Sequence, residues 1–228
     1  MEPNALVLFD IDGTLLRRAG PHHRQVLEDA VLRVTGRAAT TDGIPVAGML
    51  DGQILRLMMA AAGLQQAEIR AHLPAIMEKA QSLYARRCPD LRGKVCPGVR
   101  MVLSRLARGG VPTGLVTGNL SRIAWRKMHN AGLKERFRFG AFAEQGATRA
   151  ALIRRAVREA RLAGWIGRGA LITMVGDHPN DILAARAAGV RSLAVGTGIV
   201  AMDELRAHAP DLLLEDLRAL DHRWLLTA

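Results

Sequence analysis

Two carboxylates two residues apart, Asp10 and Asp12, follow the apolar run Leu6-Val7-Leu8-Phe9 and precede Gly13-Thr14. A short apolar run bounded by a glycine turn predicts a central parallel strand, and open α/β sheets take their ligands beyond the carboxyl ends of their strands. Asp10 then stands on the rim, and because residues i and i+2 of an extended chain share one side, Asp12 can reach the same point. Such a pair suits metal-assisted phosphoryl transfer. A divalent cation between the anions lets a carboxylate approach a phosphate monoester, and a second acid can handle the proton. A calcium loop also begins D-x-D, but it needs glycine at its sixth position and glutamate at its twelfth, where this chain has Leu15 and Pro21. The other reading is structural, with both acids making Asx turns after a strand.

Three further stations could join this pair. In Val116-Thr117-Gly118-Asn119 a hydroxyl, a glycine backbone and an amide stand ahead of a predicted helix N-terminus, an anion site if it is not an ordinary capping turn. In Val175-Gly176-Asp177-His178-Pro179-Asn180-Asp181, two acids lie four apart across a turn into a helix. There Asp181 shares the side of Ala184, Ala185 and Ala188, and both acids can face the rim beside Asp10, although Asp181 could simply complement the helix dipole. His178 reads as a turn residue. The third station is the helix after Gly146, where Leu152, Ile153, Ala156, Val157 and Ala160 form one face. At 100° per residue Arg149 projects along the middle of that face, while Arg154, Arg155, Arg158 and Arg161 point away.

The elements that must position these residues alternate from Val95 onward. Helix 97–108, strand 113–117, helix 121–131, a weaker strand at 138–143, helix 148–163, strand 171–175, helix 180–188, strand 192–196, a short helix at 202–208, a strand 211–214 and a terminal helix carrying Trp224 are predicted. Pro97 in the first turn and Gly109-Gly110 beyond the last would bound the first of these helices. The pattern is that of an α/β protein with a doubly wound parallel sheet. Residues 17–94 instead show helical periodicity without strands, at about 21–35, 51–62 and 66–87, which predicts an inserted α-helical cap domain between residues 1–16 and 95–228 of the core. Met49, Met58 and Met59 read as gap-fillers of that small bundle.

Composition narrows the function classes. The chain has 228 residues, is 49% hydrophobic, and shows neither a secretory leader pattern nor an apolar stretch of membrane-spanning length, so a cytoplasmic protein with no membrane contact is expected. Cys88 and Cys96 lack nearby histidines at zinc spacing and read as free thiols. A net charge of +11 raises nucleic acid as a partner, but only four of the 32 basic residues are lysine, the arginines are dispersed, and one tyrosine with four phenylalanines gives little to stack bases on. Nucleic acid is therefore not the expected partner. A small anionic, phosphorylated substrate is.

Taken in order, D-I-D-G-T, V-T-G-N, an inward basic residue and G-D-x-x-x-D resemble the haloacid dehalogenase (HAD) superfamily, and more narrowly its phosphoglycolate-phosphatase-like members with a helical cap. The resemblance covers nearly the whole chain, including Cys96-Pro97-Gly98-Val99 and Val195-Gly196-Thr197-Gly198. It implies a Rossmann-like core and a Mg²⁺-dependent phosphatase. Asp10 matches the nucleophile that becomes an aspartyl-phosphate, and Asp12 the acid/base that protonates the leaving alcohol and activates water. Mg²⁺ would be held by Asp10, the Asp12 backbone carbonyl, Asp177 and Asp181, and the phosphoryl group by Thr117, Gly118, Asn119 and Arg149. The family commonly has lysine where Arg149 stands. Arginine keeps the charge and can fork onto phosphate, but it is bulkier. Phosphomutase chemistry shares this core, and a non-catalytic basic binding protein on the same fold is the alternative of another class. Haloacid dehalogenation does not need Asp12, and a phosphonate hydrolase would need a cap lysine, for which only Lys79 and Lys94 exist between the motifs. Asp51, after Gly48-Met49-Leu50, is read as capping the helix that begins there, with contact to a substrate hydroxyl as its other role.

Overall fold

The computed structural model describes residues 5–17 and 20–227; residues 1–4, 18–19 and 228, which the predicted domain ranges include, lie outside the described residues. Six strands, β1 Ala5–Phe9, β2 Thr113–Val116, β3 Phe139–Ala141, β4 Leu171–Gly176, β5 Arg191–Val195 and β6 Leu212–Leu214, form one parallel sheet in the order β3-β2-β1-β4-β5-β6. The chain steps outward from β1 to β3, returns to the other flank of β1 for β4, and steps outward again. That reversal is the doubly wound arrangement, and it leaves a crevice at the carboxyl ends of β1, β2 and β4.

Strand β1 is buried along its whole length and paired on both sides, Val7 lying opposite Thr113 of β2 and Thr173 of β4. Leu6 and Leu8 pack on one face with Leu152, Ile153 and Ala185, while Val7 and Phe9 pack on the other with Val102, Leu103, Leu106 and Met128. A strand covered on both faces must be apolar at every position, which is why its sequence runs unbroken instead of alternating. The covering helices are α4 Val99–Arg108, α5 Ser121–Asn130, α6 Arg149–Leu162 and α7 Pro179–Ala188, with the short α8 Met202–Ala207 beside β5 and β6.

Between Leu16 and Val95 the described residues form three α-helices, α1 His22–Thr35, α2 Asp51–Ala61 and α3 Gln66–Arg87. Helix α1 packs along α3. Val26, Val31, Leu55, Met58, Met59, Ile76 and Tyr84 are buried between the helices, so Met58 and Met59 are core residues. The segment leaves and returns at one place. Leu16 and Val95 form an antiparallel bridge, Cys96 N donates to Leu15 O at 2.9 Å, and Arg17 N donates to Lys94 O at 2.7 Å. No helix among the described residues is long and apolar enough to cross a membrane.

Two predicted elements differ. Helix α4 begins at Val99, not Pro97, because Gly98 takes a left-handed φ of 80°, and a Cβ there would lie 2.3 Å from the Leu217 carbonyl carbon. Only glycine permits that approach. In place of the terminal helix stand two 3₁₀ turns, Leu217–Ala219 and His222–Leu225. Asp216 and Asp221 each accept a hydrogen bond from the backbone N–H two residues on, restarting the chain before a full α-turn can nucleate. Cys88 and Cys96 are both free thiols.

Candidate active site

Asp10 leaves β1 with its N–H bound to Val175 O at 2.9 Å, Asp177 follows β4 directly, and Asp181 sits in the first turn of α7. One oxygen from each of these acids lies within 4.8 Å of the others, and all three residues are buried. Asp177 is seated between glycines, since a Cβ on Gly13 or Gly198 would fall 2.0 or 1.8 Å from its Oδ2, and Thr14 donates to its Oδ1 at 2.7 Å. Asp181 divides its carboxylate. Its Oδ2 accepts from His178 N at 3.1 Å and so closes the turn into α7, while its Oδ1 faces the cluster. His178 itself accepts from Asn180 N and caps that helix.

Arg149, the first residue of α6, is buried, with Nη1 3.0 Å from both Asp10 Oδ1 and Asp181 Oδ1. The charges are close but not aligned as hydrogen bonds: Asp10 Oδ1, Asp181 Oδ1 and Arg149 Nη1 have no partner of good geometry. Three carboxylates thus face one guanidinium. Burial, then Asp10 and Asp181, push the Asp177 carboxyl up to about 8, and burial likewise raises Asp181 against the pull of Arg149. Burial opposes the charge on Arg149, yet Asp181 and Asp10 hold its pKa above the ordinary arginine value. Buried carboxylates with orphaned oxygens and unpaid repulsion are a donor set that fits a hard divalent cation. Of the remaining arginines of α6, Arg154 donates to Ala187 O at 3.0 Å and Arg158 and Arg161 are exposed, whereas Arg155, expected to point away, is half-buried with its Nε unpartnered.

Asp12 stands apart from this cluster, so its carboxylate is not among the gathered metal-ligand oxygens. Lys127 Nζ lies 2.7 and 2.6 Å from its two oxygens, and Asn119 Nδ2 donates to its Oδ2 at 2.9 Å. Asn119, expected on phosphate, thus gives one N–H of its amide to Asp12 while it lines the cavity. Lys127 also lies 3.2 Å from His23 Nδ1, and His23 Nε2 lies 3.1 Å from Asp51 Oδ2. An ammonium can only donate, so His23 accepts at Nδ1 and presents Nε2–H to Asp51. Burial raises the Asp12 carboxyl, but the charge of Lys127 and the hydrogen bonds from Lys127 and Asn119 outweigh it and hold it below the ordinary range. Asp51 does not cap its own helix. Leu50 is the N-cap of α2, and Asp51 Oδ2 instead accepts from Leu120 N at 2.8 Å, at the start of α5.

Lys127 and His23 were not among the sequence-derived candidates. A signal for the lysine exists, since it occupies the apolar stripe of α5 with Ile123, Ala124 and Met128 and is 1% exposed. The histidine has no local signal.

Thr117 follows β2 directly, is buried, and accepts from Asn119 N at 3.3 Å. Gly118 is where the helical segment touches the sheet: a Cβ there would lie 2.2 Å from Met49 O, and Asp51 N donates to Gly118 O at 2.7 Å. Asn180 Nδ2 holds Gly48 O at 3.0 Å and Gln53 Nε2 holds Ala147 O at 3.3 Å, so the segment is bonded to three loops at the sheet edge. Beneath it lies a cavity of about 760 Å³ lined by Asp10, Asp12, Thr117, Arg149 and Asp177 on the sheet side and by Leu27, Met49 and Ile54 on the helical side.

Residues 5–189 match the sequence profile of the haloacid dehalogenase-like hydrolases. Phosphoglycolate phosphatase 1 of Pseudomonas aeruginosa is 30% identical over 227 residues, an alignment covering 94% of this chain and 78% of that protein. Among solved structures, a predicted phosphatase from Clostridium acetobutylicum superposes with a TM-score of 0.69 at 17% identity, covering 98% of this chain and 99% of that one. A β-phosphoglucomutase from Clostridium difficile gives a TM-score of 0.69 at 16% identity, covering 97% and 95%. At those identities the two structures speak to fold alone.

Proposed function

The chain belongs to the haloacid dehalogenase-like hydrolases, and from that premise we propose that it is a Mg²⁺-dependent phosphatase acting on a small phosphorylated metabolite through an aspartyl-phosphate. The observation that carries this reading is the set of three buried carboxylates and one buried guanidinium beside Thr117, open to a cavity under the helical segment. Asp10 attacks phosphorus as the bond to the alcohol breaks, and Asp12, ionised beside Lys127 in the free protein, acts as the acid to the leaving oxygen once it has taken up a proton. Asp12 then takes a proton from the water that hydrolyses the intermediate. Asp10, Asp177 and Asp181 would hold Mg²⁺, whose charge lets the nucleophile and the phosphate dianion meet. Thr117, Gly118 and Arg149 would hold the phosphoryl oxygens, the guanidinium fork standing in for the family's usual lysine. In this scheme one N–H of Asn119 orients Asp12, and the rest of its amide, on the cavity wall, is available to phosphate. Residues 17–94 act as the cap that chooses the alcohol. The name of the Pseudomonas aeruginosa relative favours hydrolysis over mutase chemistry and a compact, carboxylated substrate.

Hydrolysis of p-nitrophenyl phosphate and of a phosphomonoester panel including 2-phosphoglycolate, with Mg²⁺ and with chelator, tests the proposal. Activity should require Mg²⁺ and should fall to background in Asp10→Asn. Turnover that survives that substitution rejects the aspartyl-phosphate route.

A further inference from the structure

We infer that Arg17 and Lys94 form a second anion subsite in the cavity, one that selects phosphomonoesters whose leaving alcohol carries a further anionic group, a carboxylate or a second phosphate. The inference rests on the proposed function and concerns the end of the substrate that the strand-end acids do not hold.

The other charges on the cavity wall are already matched. Asp10 and Asp177 belong to the acid cluster around Arg149, Asp12 is held by Lys127, and Asp51 by His23. Arg24 also lines the cavity, but Glu28 and Asp42 take its guanidinium, and His178 spends a ring nitrogen on capping α7. Arg17 and Lys94 remain, and neither makes an ion pair among the described residues. Asp216, whose charge is near enough to feel Arg17, is engaged by Arg218.

The backbone sets these two cations side by side. Leu16 and Val95 bridge in the antiparallel sense and Arg17 N donates to Lys94 O at 2.7 Å, so Arg17 and Lys94 stand directly opposite each other and their side chains leave the same face. Like charges in that position are destabilising, and no acid lies between them to offset the cost. A bound anion would. The same stretch fixes which part of the substrate such an anion belongs to. Leu16 also bridges Asp12 and accepts from Gly13 N at 2.8 Å, which ties the pair to Asp12 and not to Thr117 or Arg149. Asp12 serves the leaving oxygen, so the second anion sits on the alcohol and not on the transferring phosphoryl group. A guanidinium fork and an ammonium both donate to carboxylate or phosphate oxygens, and a cavity of about 760 Å³ has room for a chain between the two anions.

Alkyl phosphates of graded length, each as the plain chain, ending in a carboxylate, or ending in a second phosphate, test the subsite. At the best length wild type should prefer a charged end over the plain chain by about tenfold or more in kcat/KM, the scale of charge-assisted hydrogen bonds, and the end that wins tells carboxylate from phosphate. In the double variant Arg17→Gln, Lys94→Gln that ratio should fall close to unity. Both side chains are exposed, so the exchange leaves the packing intact. Arg92→Gln removes an exposed cation that does not line the cavity and should keep the ratio, which separates a subsite from a general positive field. No preference in wild type, a preference that survives the double substitution, or an equal loss in Arg92→Gln overturns the inference. Binding of the same ligands to Asp10→Asn, followed by calorimetry, gives the ratio without turnover. A charged-end preference in binding with no hydrolysis by wild type keeps the subsite and rejects the phosphatase; hydrolysis blind to the end group does the reverse.

Discussion

Asp10 and Asp12 leave the same strand end two residues apart and enter opposite electrostatic settings. Asp10 meets Asp177, Asp181 and Arg149, three carboxylates to one cation, with oxygens that have no donor. Asp12 meets Lys127 and Asn119, and through the lysine His23 and Asp51, with every ammonium proton in use. One cluster is short of positive charge, a donor set that fits an added ion; the other is complete within the protein. A D-x-D motif does not therefore make two equivalent acids. Their roles are set by residues more than a hundred positions away.

The sharpest way to break this contrast is to remove the single cation of the Asp10 cluster. Arg149→Met should reduce kcat/KM by about a thousandfold, at the upper end for losing one preorganised charge on a transition state. It should at the same time lower the Mg²⁺ concentration needed for half-activation, because the acids are left more negative. A loss under about tenfold in Mg²⁺ titrations of initial rate would mean that Arg149 only neutralises its neighbours.

Proton linkage should give the two clusters opposite signs. Asp177, raised to about 8, holds a proton in the folded protein that it releases when unfolded, so its contribution is fully present below the ordinary carboxylate pKa and is lost as pH rises through about 8. Asp12, lowered, contributes above the ordinary carboxylate pKa and loses that contribution as pH falls through its folded value. In chelator, Tm should fall between about pH 5 and pH 8, and saturating Mg²⁺ should flatten that slope by binding the folded state. A metal-free Tm that climbs across this range would show that the Asp10 cluster is not short of positive charge.

A smaller effect separates the clusters by their dependence on the helical segment. Gly118→Ala drives a methyl into Met49 O and must part residues 49–51 from 118–120, loosening the Asp51 to Leu120 bond. We expect about a tenfold fall in kcat/KM with the Mg²⁺ requirement unchanged, since the three acids proposed to hold the metal all belong to the sheet side. A shifted Mg²⁺ requirement would show that the two clusters are coupled.

How much of this is legible in the sequence depends on distance along the chain. D-I-D, T-G-N and G-D-x-x-x-D each lie at a strand end, so motif and position coincide, and the helical period of α6 alone aims Arg149 inward. The doubly wound parallel sheet follows from the βα alternation, while its strand order is given by the structure. Lys127 hides in Trp-Arg-Lys-Met-His, which looks like a solvated face until its register with Ile123 and Met128 is counted. His23 and Asp51 acquire meaning only from Lys127 and Leu120, 104 and 69 residues onward. The late start of α4 has the same origin, because the contact that requires Gly98 comes from Leu217.

The paired hydrogen bonds that close Leu15 on Cys96 and Arg17 on Lys94 have an evolutionary consequence. A segment whose ends are already fastened to each other behaves as a detachable loop of the sheet: its length and content can change while the strands it interrupts keep their register, and the cost of a longer loop grows only logarithmically. Natural variation in what the enzyme accepts can then accumulate between those two fastenings, leaving the acids beneath untouched.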